Sequence, residues 1–334
     1  MSNPPISVFI TVDTETSIGG AFSDPRKHPV GADRRIFCRK SENAYGISLM
    51  MDMADQCSIK LTFFLEVFNK YFFGEDESRR VCEYIIERGH DVQLHLHPNY
   101  LNFTTGDIAG KKFSDLIGQY PLKNQIEMIK EARKILISYG VSNPVAFRAG
   151  CFGADFNTLT ALNRNGFLVD SSYNAAYIGK SCLMPELDIN DIAPVNGVWE
   201  IPITCFKEQL PGLASRKKPM DINGAGFEEI RDVLMTATKS GPYCITIMLH
   251  SFSFVKPFDV QYSRIRPRNH VVGRFKKLLD FFKKNEDIFE VKTFDMLSAD
   301  KLEKMSSNTL NTLHPVKSSL SVYRSLWQLV DRIV

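Results

Sequence analysis

The chain has 334 residues, enough for two average domains or one large α/β barrel, and its 44% hydrophobic and 24% charged content is that of an ordinary globular protein. Lys plus Arg number 41 against 38 Asp plus Glu, a net charge of +3, and the basic clusters (Arg34–Arg35, Lys217–Lys218) are short and read as solvated loop charge, which excludes a nucleic-acid partner. Seven scattered cysteines without CxxC pairs exclude a disulfide framework, and no secretory leader pattern or membrane-length apolar run is visible, so the expected compartment is the cytoplasm.

In chain order, "ISVFITVD" (6–13) is a β-branched apolar run that predicts a buried strand. A polar stretch over 17–37 predicts a long loop, and a helix follows near 43–57. "LTFFLEV" (61–67) predicts the second strand, "DESRRVCEYIIERG" (76–89) a helix with an acidic start and a glycine stop, and "DVQLHLH" (91–97) the third strand. Ile126, Ile129, Arg133, Leu136 and Tyr139 recur at helical spacing up to Gly140. Strands are then expected over 144–150, 167–172, 198–204, 243–250 and 288–293, with helices over 154–166, near 225–239 and near 270–285. Such alternation predicts an α/β protein with a parallel sheet and outer helices, open or closed into a barrel.

After a Ser/Asn/Thr-rich linker (301–315), the segment 316–334 predicts an amphipathic helix with Tyr323, Leu326, Trp327, Val330 and Val334 on one face. Two readings stand: a helix docked on the domain, or a homo-oligomer or membrane-surface contact flanked by Arg324 and Arg332.

The chemistry-bearing residues fall at the C-terminal ends of predicted strands, where parallel α/β folds build their sites. Asp13 and Glu15 in "VDTE" are two apart and share a face of an extended chain, so one can ligate a metal while the other takes a proton. In "GHDVQLHLHP" three histidines, His90, His95 and His97, compete for a metal, and His95 and His97 share a face. Arg148 in "FRAGCFG" can hold a nearby carboxylate ionised, Asp170 ends "VD", and His250 ends "IMLH" in a position for acid–base work.

The order of these motifs, an acid pair, "TFF", "GHDVQLH", "FRAG", "DSS" and "LH", resembles the NodB-like polysaccharide deacetylases (carbohydrate esterase family four) over residues 7–295. The resemblance implies a distorted (β/α) barrel of about seven parallel strands with outer helices, occupying residues 1–300. It also implies one divalent metal, with zinc first and cobalt, nickel or manganese as alternatives, and hydrolysis of an acetyl group on a sugar. Asp13 matches the catalytic base and Glu15 the metal-binding acid; the family has two adjacent aspartates there, so the division between the two stays open. His95 matches the first metal histidine and His90 a structural one. The second would fall at Asn99, which leaves His97 or Asn99 to complete the site. Arg148 matches the residue that tunes the base, Asp170 the one that orients the acid, and His250 the acid.

The expected function is removal of an acetyl or similar acyl group from an amino sugar or glycan intermediate of surface polysaccharide synthesis, at the cytoplasmic membrane face. The alternatives are a metal-dependent C–N hydrolase of a small cytosolic amide and a non-catalytic sugar-binding relative.

Overall fold

The computed structural model of the chain describes residues 5–105 and 112–333. Its main sheet contains β1 (Ile6–Thr14), β2 (Thr62–Glu66), β3 (Asp91–Leu96), β4 (Ala146–Ala149), β5 (Val169–Asp170), β6 (Ala193–Val195), β7 (Val198–Glu200), β8 (Cys244–His250) and β9 (Phe289–Lys292). The order is β8-β1-β2-β3-β4-β5-β7-β6, with β9 beside the first half of β1. All pairings are parallel except the β6–β7 hairpin. Helices cover the outside, so β1, β2 and β3 are buried along their whole length, which explains why their sequences read as continuous apolar runs.

No regular strand joins β7 to β8. The gap is bridged by irregular chain: Thr204 N donates to Thr246 O (3.2 Å), Met220 N to Thr204 O (2.8 Å), and Met248 N to Met220 O (3.0 Å). This is the distortion expected of the barrel. Register then sets the site. Asp13 lies between His250 and Phe64, Glu66 beside His95, His95 beside Arg148, and Phe147 beside Asp170.

The outer helices include α1 (Ile47–Asp55), α2 (Glu75–Glu87), α3 (Leu122–Ser138), α4 (Phe156–Arg164), α5 (Phe227–Ser240) and α6 (Asn269–Lys284). Helix α4 starts where Asp155 and Thr158 form a capping box. The buried stripe of α3 is Gln125, Ile129, Ala132, Ile135 and Leu136, so Ile126 and Arg133 lie at its margin. Loop 17–37 is ordered by a bridge between Ser17 and Val30 and by a helical turn at Ala32–Arg35.

Residues 301–315 are held against the barrel. Helix α7 (Ala299–Ser306) buries Leu302, and beyond it Leu310 N donates to Asp191, Lys207 N to His314 O (2.8 Å), and Val316 N to Lys207 O (3.0 Å). Helix α8 (Ser318–Ile333) docks through polar side chains. Arg324 is buried, pairs with the buried Glu208 and stands 2.9 Å from Glu229, to which Ser321 Oγ also donates (2.8 Å). Tyr323 and Leu326, from the predicted apolar face, are 57% and 58% exposed. The side chains of Trp327 and Val330, and all of Val334, lie outside the described residues. Among the described residues, no helix is long and apolar enough to cross a membrane.

Arg324→Ala leaves the buried Glu229 without its cation, while Glu208 keeps Lys218 at 3.0 Å; loss of one partner of a buried pair costs up to about 3–5 kcal/mol. The expected result is release of α8, read as new limited-proteolysis cuts between residues 307 and 326 while the barrel core stays resistant.

Candidate active site

The site is assembled from strand ends and the segments that follow them. Arg148 is the largest fully buried side chain and sits inside the curl of the sheet, its guanidinium 4.2 Å from the centre of the Phe64 ring. Its Nη1 donates to Asp13 Oδ1 (2.5 Å) and Thr11 Oγ1 (3.0 Å); Nε and Nη2 donate to the carbonyl and hydroxyl of Ser171, both at 3.0 Å. Burial alone pushes the Asp13 carboxyl toward its neutral form. The adjacent Arg148, with His95 and His250 nearby, wins and holds it below the usual carboxylate range.

Glu15 faces both histidines. Its Oε2 lies 2.6 Å from His97 Nε2 and 3.5 Å from His95 Nε2. Against the effect of burial, His97, His95 and Arg35 hold its carboxyl well below the ordinary value. Each histidine is tied through its other nitrogen. His95 donates Nδ1–H to the Arg148 carbonyl (2.8 Å), and His97 donates Nδ1–H to Asp115 Oδ1 (2.9 Å). Both Nε2 atoms therefore point at Glu15.

The three donors Glu15, His95 and His97 lie within 4.8 Å of one another. Bonds of about 2.0–2.1 Å to a tetrahedral ion spread the ligands about 3.4 Å apart, which the 3.5 Å His95–Glu15 separation meets and the 2.6 Å His97–Glu15 separation falls short of. His97 Nε2 is buried and, despite its closeness to Glu15, makes no hydrogen bond. A set of two imidazoles and one carboxylate, with the far nitrogens anchored, fits zinc or a similar divalent ion. Burial disfavours the protonated His97 ring, but Asp115 and Glu15 raise its pKa well above the ordinary value. Nε2 has to give up that proton to act as a ligand, so binding here depends on pH.

The other predicted residues divide. His90 stands apart: Leu61 N donates to its Nδ1 (3.0 Å), and its ring meets Phe63 edge-on. Asn99 sits in the 3₁₀ turn Pro98–Thr104, gives its carbonyl to Asn102 Nδ2 (2.8 Å), and makes no hydrogen bond to Glu15 or His95. His250 ends β8 beside Asp13, with its backbone N–H on Ser253 Oγ (2.9 Å) and its ring against Phe252.

Asp170 corrects an expectation. No hydrogen bond or ion pair joins it to His250; it accepts from Ser172 Oγ (2.6 Å) and faces the buried Glu200, whose Oε1 accepts from Tyr173 N (2.9 Å). Burial raises both carboxyls, and the neighbouring Asp170 pushes Glu200 well above the usual range. The carboxyls that His250 does influence are Asp13 and the half-buried Asp221, from the bridging segment beside β8.

Sequence reading missed Arg35, Asp115, Glu200 and Asp221. Arg35 is no solvated charge: its side chain is 13% exposed, pairs with Glu15 Oε1 (3.0 Å), and lies 3.2 Å from the centre of the Phe252 ring. Lys218 is similarly drawn in, 3.0 Å from Glu208, whereas Arg34 and Lys217 are exposed as expected. The acidic residues in "VWE" and "FSDL" were the available signals, but neither lies at a motif.

No protein-family model matches the sequence, and no curated protein is recognisably similar to it in sequence. Similarity appears in structure. A Mycobacterium smegmatis protein classed with the polysaccharide deacetylases aligns with 95% of this chain and 99% of its own, at 12% identity and a TM-score of 0.51. A 4-alpha-glucanotransferase from Thermococcus litoralis aligns with 94% of this chain, which spans 42% of that enzyme, at 12% identity and a TM-score of 0.52. A family 4 carbohydrate esterase from Streptomyces lividans aligns with 83% of this chain and 90% of its own at 11% identity, but its TM-score of 0.39 adds nothing to the comparison. The chain has the distorted barrel fold of the NodB-like polysaccharide deacetylases, a fold that the glucanotransferase shares.

Proposed function

We propose that this protein is a metal-dependent hydrolase that removes an acetyl group from an amino sugar or glycan intermediate. One observation carries the reading: Glu15 and the Nε2 atoms of His95 and His97, whose rings are anchored through Nδ1, converge next to an Asp13 kept ionised by Arg148, with His250 on the neighbouring strand end. A pure binding protein has no use for an ionised carboxylate and an imidazole arranged in this way around a metal-ligand set.

A divalent ion held by Glu15, His95 and His97 supplies polarisation of the acetyl carbonyl and a more acidic water. The protein does the rest. Asp13, ionised and fixed by Arg148 at 2.5 Å, accepts the proton of the attacking water. His250, paired with Asp13 across β1 and β8, is the group proposed to give a proton to the departing amine. Arg35, stacked on Phe252 beside Glu15, adds to the effect of the two histidines in keeping that carboxylate ionised. The assignment of Asp13 as base and Glu15 as ligand is supported by their different partners, a buried guanidinium for one and two imidazoles for the other.

Elemental analysis of the purified protein tests the reading. We expect near one zinc or similar ion per chain, lost in His95→Ala and His97→Ala and kept in Asn99→Ala. Acetate release from acetylated amino sugars should accompany the metal. A metal-free wild type after supply of zinc, cobalt and nickel would leave the convergent donors without a catalytic purpose.

A further inference from the structure

We infer that Asp115 is the positioning residue of the metal ligand His97, an inference that rests on the metal site proposed above. His97 stands just beyond β3, in extended backbone (φ −112°, ψ 95°), and Pro98 turns the chain into a 3₁₀ helix directly after it. A side chain at such a junction has no helical neighbours to fix its rotamer. Three contacts fix it instead. Its ring meets the His95 ring edge-on at 4.9 Å between centres. Its face lies on Gly150, where an added Cβ would stand 2.5 Å from Nδ1. And Nδ1–H donates to Asp115 Oδ1 at 2.9 Å.

Asp115 is itself delivered by a stapled segment. The buried Asn102 accepts from Phe113 N (2.9 Å), donates to Phe113 O (2.8 Å), and donates to the Asn99 carbonyl (2.8 Å), so it locks 113–115 onto the 3₁₀ helix that follows His97. On the far side Gly118 N donates to Gly153 O (2.8 Å), and Asp115 Oδ2 accepts from Cys151 Sγ (3.5 Å). The carboxylate thus reaches His97 from a segment 18 residues downstream, pinned at both ends. It fixes the tautomer that leaves Nε2 facing Glu15 and makes that nitrogen a stronger donor to a metal. His95 has only a neutral carbonyl in the same place. The charged partner therefore belongs to the histidine that stands at the strand end.

The test is cobalt(II) titration of the full chain, followed by visible absorption and by competition with a chelator. Loss of such an outer carboxylate weakens metal affinity about 10–100-fold, the result expected for Asp115→Ala. Asp115→Asn keeps an acceptor for Nδ1–H but loses the charge, and should recover part of that affinity without reaching wild type. Should Asp115→Ala fail to fold by circular dichroism, Asp115→Asn decides alone. Wild-type affinity in Asp115→Ala, or in a folded Asp115→Asn, would overturn the inference. A wild type that binds no cobalt is a different result and would overturn the metal site itself.

Discussion

Arg148→Met is expected to lower the unfolding free energy by about 3–5 kcal/mol, the cost of leaving one member of a buried ion pair without the other. Arg148 and Asp13 are both buried, and the Asp13 carboxylate has its charge partner 2.5 Å away. Methionine replaces much of the stem volume but none of the four hydrogen bonds to Asp13, Thr11 and Ser171. Urea denaturation at neutral pH measures the loss. A double variant, Arg148→Met with Asp13→Leu, separates its causes. If the uncompensated charge dominates, removing Asp13 as well returns a substantial part of the lost stability, and the two changes are far from additive. Additive losses would show that packing and the Ser171 bonds, not the ion pair, hold this part of the sheet together.

The second large effect is chemical. Asp13→Asn should reduce turnover of an acetylated amino sugar about 10²–10⁴-fold, the usual contribution of a positioned proton acceptor. The asparagine oxygen can still accept from Arg148 Nη1, but the buried guanidinium loses its counter-charge, so urea denaturation accompanies the assay to show that the variant is folded. Metal content is the informative companion measurement. It should be unchanged in Asp13→Asn and lost in Glu15→Ala, because only Glu15 lies against the two imidazoles. Loss of metal from both variants would make Asp13 a ligand too and would undo the division of roles. Retained turnover in Asp13→Asn would place the proton acceptor elsewhere.

Much of this site was legible along the chain because a parallel sheet imposes order on it. Side chains alternate across a strand, and ligand sites gather at strand C-termini, so Asp13, Glu15, His95, Arg148 and His250 could be assigned to one end of one sheet. The structure brings the Asp13–Arg148 and Glu15–His95–His97 groups together there. Alternation puts His97 on the same face as His95, and in the structure its Nδ1 is held by Asp115 while Nε2 faces Glu15.

What alternation does not reach is the path of the loops. Arg35 looked like surface charge because nothing local says that loop 17–37 folds back over Phe252. Asp115 meets His97 only through the Asn102 staple, and Asp221 meets the His250 environment through an irregular bridge beside β8. Asp170 was placed on the right strand, yet its partner is Glu200 from β7, since pairing of short parallel strands is decided by sheet order.

The last helix shows the division of labour between sequence and tertiary structure. Its amphipathic pattern is local and predicts a helix, and a helix forms there. Periodicity alone would turn the apolar stripe inward. In the structure Tyr323 and Leu326 of that stripe are exposed, while two buried carboxylates, Glu208 from the hairpin that follows 201–204 and Glu229 from α5, take Arg324 and Ser321. By itself, the sequence determined the strands and which candidate residues fall at their C-terminal ends, because those follow from period and residue type. Which carboxylate meets which cation was decided only by the folded chain, because the free energy of a buried charge depends on its distance to a partner far away in sequence.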